Sequence, residues 1–128
     1  MMHILMVDDD VEWLQLNQEL LQSHGYAVTT ATDGVEALKA VMKYDVDAIL
    51  CDMMMPNMAG DMFYKAIERT KPHLCRRFIV ITGHEGDSKV DAFIKRTKTV
   101  VLYKPVNMAK LMGYLKLALQ SSEKAKPQ

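Results

Sequence analysis

Short apolar runs alternate with amphipathic segments along nearly the whole chain. Five of these runs are rich in β-branched or other apolar residues and have the length of buried strands. They are HILMV (3–7), AVTTA (27–31), DAILC (47–51), FIVIT (78–82) and TVVLY (99–103). The segments that follow them have helical spacing and span 11–25, 34–44, 60–71, 87–98 and 107–120. The pattern therefore predicts five strand–helix units.

The first and last helices have apolar stripes that we expect to face the core. The predicted stripe of the first helix consists of Trp13, Leu16, Leu20 and Leu21. The predicted stripe of the last helix consists of Leu111, Tyr114, Leu115 and Ala118. Asp10 and Asn107 are the predicted N-caps of these two helices, and Gly25 is the predicted stop of the first.

Five strands that are each followed by a helix predict an α/β fold with one parallel sheet covered on both faces. Right-handed crossovers make this a doubly wound, three-layer sandwich. The strand order is not visible in the sequence. We adopt the flavodoxin-like order 2-1-3-4-5 because it is common for five such units.

Length, charge and cysteine content narrow the class of protein. The 128 residues suit one domain, which we assign to 1–120, with 121–128 as a polar tail or linker stub. Lys+Arg and Asp+Glu are both 16, so a net charge of zero gives no electrostatic reason to expect binding to nucleic acid or an anionic membrane. Cys51 and Cys75 form no disulfide or metal pattern, and Cys51 is expected to be a buried free thiol. With no apolar stretch of signal-peptide or membrane-spanning length, a cytoplasmic location is expected.

Polar side chains follow or close four of the predicted strands. Asp8 and Asp9 follow the first strand, Asp52 the third and Lys104 the fifth, while Thr82 closes the fourth. The carboxyl ends of parallel strands share one edge of the sheet, where doubly wound proteins bind their ligands. The sequence therefore predicts that three carboxylates, a hydroxyl and an ammonium group meet in one crevice.

Three neighbouring carboxylates repel one another, and a divalent cation such as Mg²⁺ (or Mn²⁺) relieves that repulsion. Asp8 and Asp9 are the predicted metal ligands, and Asp52 is the predicted nucleophile that attacks a phosphoryl group and forms an acyl phosphate. Lys104 would stabilise charge on the transferring group, and the Thr82 hydroxyl would donate to a phosphoryl oxygen after transfer. Pro56 and Gly60 are expected to turn the loop after Asp52, with Gly60 relaxing its steric limits.

These motifs together resemble the receiver domain of two-component signalling, the response-regulator (CheY-like) family. The resemblance spans residues 3 to about 119 and rests on VDDD, DMMMPNMAG, VITG, YKP and GYAVTTATDGVEAL. It implies that Asp52 is the phosphoacceptor and that Asp8, Asp9, Asp52 and the Met54 backbone carbonyl surround the Mg²⁺. It also implies a cis Lys104–Pro105 bond, a sensor histidine kinase or phosphotransfer protein as phosphodonor, and a downstream effector.

The sequence departs from the family pattern at the switch and beside the site. Val101 stands where many receivers carry Tyr or Phe, and Tyr103 follows two residues later on the same side of the strand. The sequence leaves open whether Tyr103 takes over the aromatic role. Gly83 replaces a frequent Ala and is expected to loosen its loop. Met54 and His84 occupy the flanking positions that adjust the lifetime of the phosphoryl group in the family.

Several features have plainer explanations than function. The methionines after Asp52, Met53, Met54, Met55 and Met58, are expected to fill core and loop gaps. The four histidines lack ligand spacing, and Trp13 is expected to anchor the first helix in the core.

Two other classes of function remain as alternatives. A haloacid-dehalogenase-type phosphatase also uses an Asp nucleophile after its first strand, but Glu12 stands where that motif has Thr or Val. The other alternative is a receiver-like binding module that is no longer regulated by phosphorylation. A flavin mononucleotide site is disfavoured because the acidic first loop would repel the flavin phosphate. A homodimer formed through the last helix is also possible.

Overall fold

The computed structural model describes the backbone of residues 1–124 and the side chains of residues 1–120. Within this range, strands and α-helices alternate along the chain. The strands are β1 (His3–Val7), β2 (Ala27–Ala31), β3 (Ala48–Cys51), β4 (Phe78–Thr82) and β5 (Val100–Tyr103). The helices are α1 (Val11–Ser23), α2 (Gly34–Lys43), α3 (Gly60–Thr70), α4 (Ser88–Thr97) and α5 (Met108–Lys124). A 3-10 helix, Pro72–Arg77, precedes β4 and was not predicted.

The five strands form one sheet in the order β2-β1-β3-β4-β5, and every neighbouring pair is parallel. This confirms the predicted α/β, doubly wound fold and its strand order. The predicted strand ends agree with the observed ends to within one residue. The strand ends could be predicted because strands that are covered on both faces have uninterrupted apolar sequences.

Each face of the sheet has its own apolar core. One core packs α2, α3 and α4 on the sheet through residues such as Val41, Phe63 and Phe93. The other core packs α1 and α5 on the opposite face through residues such as Leu14, Leu21 and Leu115. Alternate residues of each central strand contribute to the two cores, so a side chain at a strand end has a defined face.

The predicted core stripe of α1 is wrong in part. Leu16 is 69% exposed, whereas Leu14, Asn17 and Leu21 are the buried residues of the helix. The Asn17 Nδ2 donates a hydrogen bond to the Trp13 carbonyl oxygen at 2.9 Å, which satisfies a polar side chain inside the stripe. The true stripe is shifted around the helix because this asparagine occupies a core position.

The predicted stripe of α5 needs one correction as well. Leu111 and Leu115 are buried as expected, but Tyr114 is 40% exposed. Leu119 takes the next buried position instead, one turn after Leu115. The helix therefore packs through three leucines, and Tyr114 lies on its outer side.

Side-chain caps set the helix starts where they were predicted. The Trp13 N–H donates to Asp10 Oδ1 at 3.1 Å, and the Lys110 N–H donates to Asn107 Oδ1 at 3.1 Å. Gly25 has a φ of +90° two residues after the end of α1, a conformation that glycine adopts without strain. These observations confirm Asp10 and Asn107 as caps and Gly25 as the stop.

The two cysteines are free thiols. Burial, together with the carboxylates of Asp52 and Asp8, raises the pKa of the Cys51 thiol well above its usual value. Cys51 is thus a buried free thiol, as predicted, and its raised pKa keeps it neutral.

α5 continues through Lys124 into the segment 121–128 that was predicted as a tail, and residues 125–128 lie outside the described residues. The division into a domain of 1–120 and a tail stays a prediction. No helix in the described part of the chain has both the length and the apolar composition to cross a membrane.

Candidate functional site

The strand register brings the predicted acids to one edge of the sheet. Val7 and Cys51 are paired across β1 and β3, so the residues that follow them emerge side by side. The Asp52 N–H donates to the Val7 carbonyl oxygen at 2.9 Å, which extends this pairing by one residue. One carboxylate oxygen from each of Asp8, Asp9 and Asp52 lies within 4.8 Å of the others. The predicted convergence of these acids is therefore observed.

The three acids differ in their contact with solvent. Asp8 and Asp52 are 1% and 5% exposed, while Asp9 lies at the surface. Burial raises the pKa of Asp8 above its usual value, although the hydrogen bond from Lys104 acts in the opposite direction. A positive ion in contact with Asp8 would therefore stabilise its charged form.

Asp52 is held by its own loop through one of its two carboxylate oxygens. The backbone N–H groups of Met53 and Met54 donate to Asp52 Oδ1 at 2.7 and 3.3 Å. No described residue donates a hydrogen bond to the other oxygen, Oδ2. The carboxylate is thus oriented by the backbone and keeps one oxygen for a ligand or a reaction.

Lys104 brings the expected ammonium group into the cluster. Its backbone N–H donates to the Thr82 carbonyl oxygen at 2.8 Å, and its Nζ donates to Asp8 Oδ2 at 2.6 Å. The Lys104–Pro105 peptide bond is cis, as the family resemblance implied. Among the described residues, Lys104 is the one ion-pair partner of the three acids.

Thr82 and the loop after it flank the cluster. Thr82 is fully buried at the end of β4, and its Oγ1 accepts a hydrogen bond from the His84 N–H at 3.2 Å. Gly83 and His84 are exposed, and a Cβ atom added at Gly83 would meet no atom within 4 Å. The loop is therefore open to solvent around Gly83, while the Thr82 hydroxyl is fixed beneath it.

The loop after Asp52 is shaped differently from the prediction at Gly60. Gly60 is the first residue of α3, and a Cβ atom there would collide with the carbonyl oxygen of Asp52. Its role is close backbone approach rather than an unusual turn conformation. The residue with positive φ is Asn57, at 67°, and its Nδ2 donates to Asp33 Oδ2 at 2.7 Å.

The methionines of this loop play unequal parts. Met53 is buried in the core, and Met55 and Met58 pack against that core from partly buried positions. Met54 is 38% exposed. The gap-filling role therefore holds for three of the four, and Met54 faces the solvent next to the acids.

Val101 and Tyr103 are both half-buried on β5. Val101 packs against the core formed with α2, α3 and α4. Burial raises the pKa of Tyr103 above its usual value, and the nearby carboxylates of Asp91 and Glu85 act in the same direction. Since Asp91 belongs to α4, Tyr103 is directed to the same side of the sheet as Val101.

The donor set fits a hard divalent cation. Three carboxylates supply only oxygen ligands, which Mg²⁺ and Mn²⁺ prefer. The single Lys104 ammonium leaves a net negative charge in a partly buried site, which a cation would neutralise. The residues present are therefore suitable for the predicted metal.

Trp13 is a neighbour of the site that the sequence did not reveal. Its ring centroid lies 4.8 Å from the Lys104 Nζ. The apolar pattern indicated only a core role for Trp13, since a contact between α1 and the residue after β5 has no local signal.

The chain matches known proteins over nearly its whole length. A sequence model of the family described as "Response regulator receiver domain" matches residues 4–116. Transcriptional regulatory protein GlrR of Escherichia coli (strain K12) is 32% identical over 96% of this chain, which covers 27% of GlrR. The chain thus spans about a quarter of that relative's length.

Solved structures agree with this match. A response regulator receiver domain protein (CheY-like) from Methanospirillum hungatei has a TM-score of 0.89 at 26% identity, covering 98% of this chain and 99% of that one. Response regulator protein TrrA from Thermotoga maritima, solved in complex with Mg(2+)-BeF, has a TM-score of 0.82 at 28% identity. That match covers 93% of this chain and 100% of TrrA.

Proposed function

The chain belongs to the response regulator receiver domain family, and we propose that it is a phosphorylation switch in which Asp52 accepts a phosphoryl group. The donor is a phosphohistidine on a sensor histidine kinase or phosphotransfer protein, or a small phosphodonor. The observation that carries the proposal is the cluster of Asp8, Asp9 and Asp52 within 4.8 Å, with Lys104 bonded to Asp8.

Asp52 is suited to act as the nucleophile. Its Oδ1 is occupied by two backbone N–H groups, which leaves Oδ2 to attack the phosphorus atom. The new O–P bond makes an acyl phosphate as the donor's histidine nitrogen leaves. The chain therefore catalyses only its own phosphorylation and dephosphorylation and has no separate turnover substrate.

The remaining side chains are assigned roles around this reaction. The metal ligands would be Asp8, Asp9, Asp52 and the Met54 backbone carbonyl. The Mg²⁺ or Mn²⁺ that they hold would supply positive charge to offset the negative charge of the transferring group. The Lys104 Nζ donates to a phosphoryl oxygen, and the buried Thr82 hydroxyl donates to another after transfer. Met54 and His84 border the site and control how readily water reaches the acyl phosphate.

The switch couples the site to the surface formed by α4, β5 and α5. Engagement of the Thr82 hydroxyl draws its loop inward, with Gly83 and His84 moving with it. Val101 and Tyr103, on the same side of β5, repack in response, and the cis Lys104–Pro105 bond holds the adjoining loop. An effector protein or domain binds the altered surface, approximately residues 86–119.

The location and the partners of the switch are inferred from its chemistry and from its relatives. We propose a cytoplasmic protein or segment that does not itself bind nucleic acid or membrane, and that is able to form a homodimer through α5. Because the chain spans only part of relatives such as GlrR, it acts either alone or as one segment of a larger regulator.

The proposal is tested by incubating the chain with Mg²⁺ and acetyl phosphate and measuring intact mass. The wild type should gain one phosphoryl group, and Asp52→Asn or a chelator should abolish the gain. Asp61→Asn is the matched control, because this acid lies in the first turn of α3 outside the cluster. A wild-type chain that never gains the group would contradict the proposal.

Two further measurements separate the alternatives. Turnover of p-nitrophenyl phosphate would favour a phosphatase of the haloacid-dehalogenase type. Amide spectra that remain unchanged in α4, β5 and α5 after addition of Mg²⁺ and beryllofluoride would favour an unregulated binding module.

A further inference from the structure

The Lys104 ammonium group has two neighbours of different chemistry. Its Nζ donates to Asp8 Oδ2 at 2.6 Å and lies 4.8 Å from the centroid of the Trp13 ring. A cation within about 6 Å of an aromatic centroid is attracted by the ring, and tryptophan is the strongest such partner. The ammonium is therefore held between a carboxylate and an indole face.

Trp13 is fixed at its backbone on both sides. Its N–H donates to the capping Asp10 Oδ1 at 3.1 Å, and its carbonyl accepts from Asn17 Nδ2 at 2.9 Å. The side chain is half-buried and packs against the core shared by α1 and α5. The ring thus has a defined position in the first turn of α1, close to the sheet edge.

The strand alternation explains why this ring reaches Lys104. Leu102 belongs to the core on the α1 and α5 side, and Lys104 follows it by two residues on the same face. Met6 and Asp8 are related in the same way on β1. Lys104 and Asp8 therefore leave the sheet toward α1, where Trp13 lies.

An aromatic face is suited to a lysine that must change partners. In the proposed reaction, Lys104 gives up its bond to Asp8 and donates to the phosphoryl group on Asp52. A ring face attracts the ammonium but accepts no strong, directional hydrogen bond, so the N–H groups stay available to oxygen atoms. A further carboxylate at this place would compete with the phosphoryl group instead.

We propose that Trp13 is a positioning residue for Lys104: its indole face keeps the ammonium at the mouth of the site while the hydrogen-bond partner changes from Asp8 to the phosphoryl group. This inference rests on the proposed function of Asp52. Loss of this cation–π contact should therefore slow phosphoryl transfer roughly twofold to fivefold.

The first test is a double-mutant cycle that measures the phosphorylation rate with acetyl phosphate and Mg²⁺. Trp13→Leu should slow the wild type by roughly twofold to fivefold, and Trp13→Phe, which keeps a ring face, by less. In the Lys104→Met background, Trp13→Leu should have no further effect. Equal effects in both backgrounds would overturn the inference, since Trp13 would then act by packing alone.

A second measurement needs neither phosphorylation nor the folding of Trp13→Leu. The NMR signal of the Lys104 εCH₂ protons is observed in ¹³C-lysine-labelled protein and is assigned by its loss in Lys104→Arg. Its chemical shift should be displaced upfield by the ring current of Trp13. Leu16→Ala, at an exposed position of the same helix, should leave the shift unchanged. An ordinary lysine shift for Lys104 would overturn the inference.

The two tests also separate this inference from the proposed function. A wild-type chain that takes up no phosphoryl group refutes the function of Asp52 and, with it, the positioning role. A chain that is phosphorylated normally, but shows no coupling between Trp13 and Lys104, refutes the positioning role alone.

Discussion

The amino-terminal edge of the sheet, like the carboxyl-terminal edge, carries charged side chains next to buried strands. At the amino-terminal edge, Asp47 Oδ2 accepts from the His3 N–H at 2.8 Å, and Arg77 Nη1 lies 3.7 Å from Asp47 Oδ1. The Arg77 guanidinium also donates to the carbonyl oxygens of Asp47 and Leu119, at 3.2 and 3.4 Å. At this edge, the negative charge of Asp47 is balanced by the positive charge of Arg77.

The carboxyl-terminal edge has the opposite balance. Asp8, Asp9 and Asp52 converge on one another, and Lys104 is their one ion-pair partner in the described part of the chain. An unbalanced cluster costs folding free energy, because buried charges without partners are poorly solvated. The difference teaches that this chain pairs its charges at the structural edge and leaves a net negative charge at the edge where, on the proposed function, a metal ion would bind.

The largest effect is expected from breaking the balanced edge with Arg77→Leu. Two carbonyl oxygens and Asp47 would lose their donor, so the free energy of unfolding should fall by about 1–3 kcal/mol. Urea unfolding measures this fall, and the phosphorylation rate should be unaffected. Arg76→Leu is the matched control, because the adjacent arginine is exposed and should change stability by less than about 0.5 kcal/mol. A stability loss as large in Arg76→Leu would remove the distinction.

A smaller effect of opposite sign is expected from Asp9→Asn at the unbalanced edge. Removing one of three like charges should raise the metal-free free energy of unfolding by about 1 kcal/mol. The same change should reduce the increase in melting temperature that Mg²⁺ produces in the wild type.

Asp10→Asn is the control for this prediction. It removes a neighbouring charge and keeps a good N-cap, so the Mg²⁺ effect should survive. Metal-free stability that falls in Asp9→Asn would show that the acids do not repel one another in the fold.

A further effect is expected at high pH, from a tyrosine near the balanced edge. Burial, together with the neighbouring Cys75 thiol, raises the pKa of Tyr64 to about 12. Because the folded-state pKa exceeds the ordinary value of about 10, the neutral hydroxyl contributes stability below pH 10 that is lost as the pH rises toward 12. Unfolding curves in this range should be less pH-dependent for Tyr64→Phe than for the wild type. Parallel curves would contradict the raised pKa.

The strands and the meeting of the acids could be predicted because both depend on simple rules. Buried parallel strands are apolar throughout, and their carboxyl ends share an edge whatever the details of packing. Asp8, Asp52 and Lys104 were therefore predictable neighbours from their positions alone. The cis bond before Pro105 came from the family resemblance and not from the residues themselves.

The features that were missed depend on tertiary contacts or on which face of a helix is buried. The apolar residues of α1 fit helical spacing on either of two faces. The buried face includes the polar Asn17, so the other face, with Leu16, looked more apolar in the sequence. The 3-10 helix has no amphipathic period of its own. Two contacts join residues that are far apart in sequence, so no local sequence pattern predicts them. They are the contacts of Trp13 with Lys104 and of Arg77 with Leu119.

The absence of a side chain at Gly60 has a mechanical consequence. The first turn of α3 rests on the Asp52 carbonyl through main-chain atoms, and the Gly60 N–H donates to the Met53 carbonyl oxygen at 3.0 Å. Side chains can absorb a small displacement by changing rotamer, whereas a main-chain contact has no such freedom. We therefore expect that a shift of the backbone at Asp52 moves α3 as a rigid body.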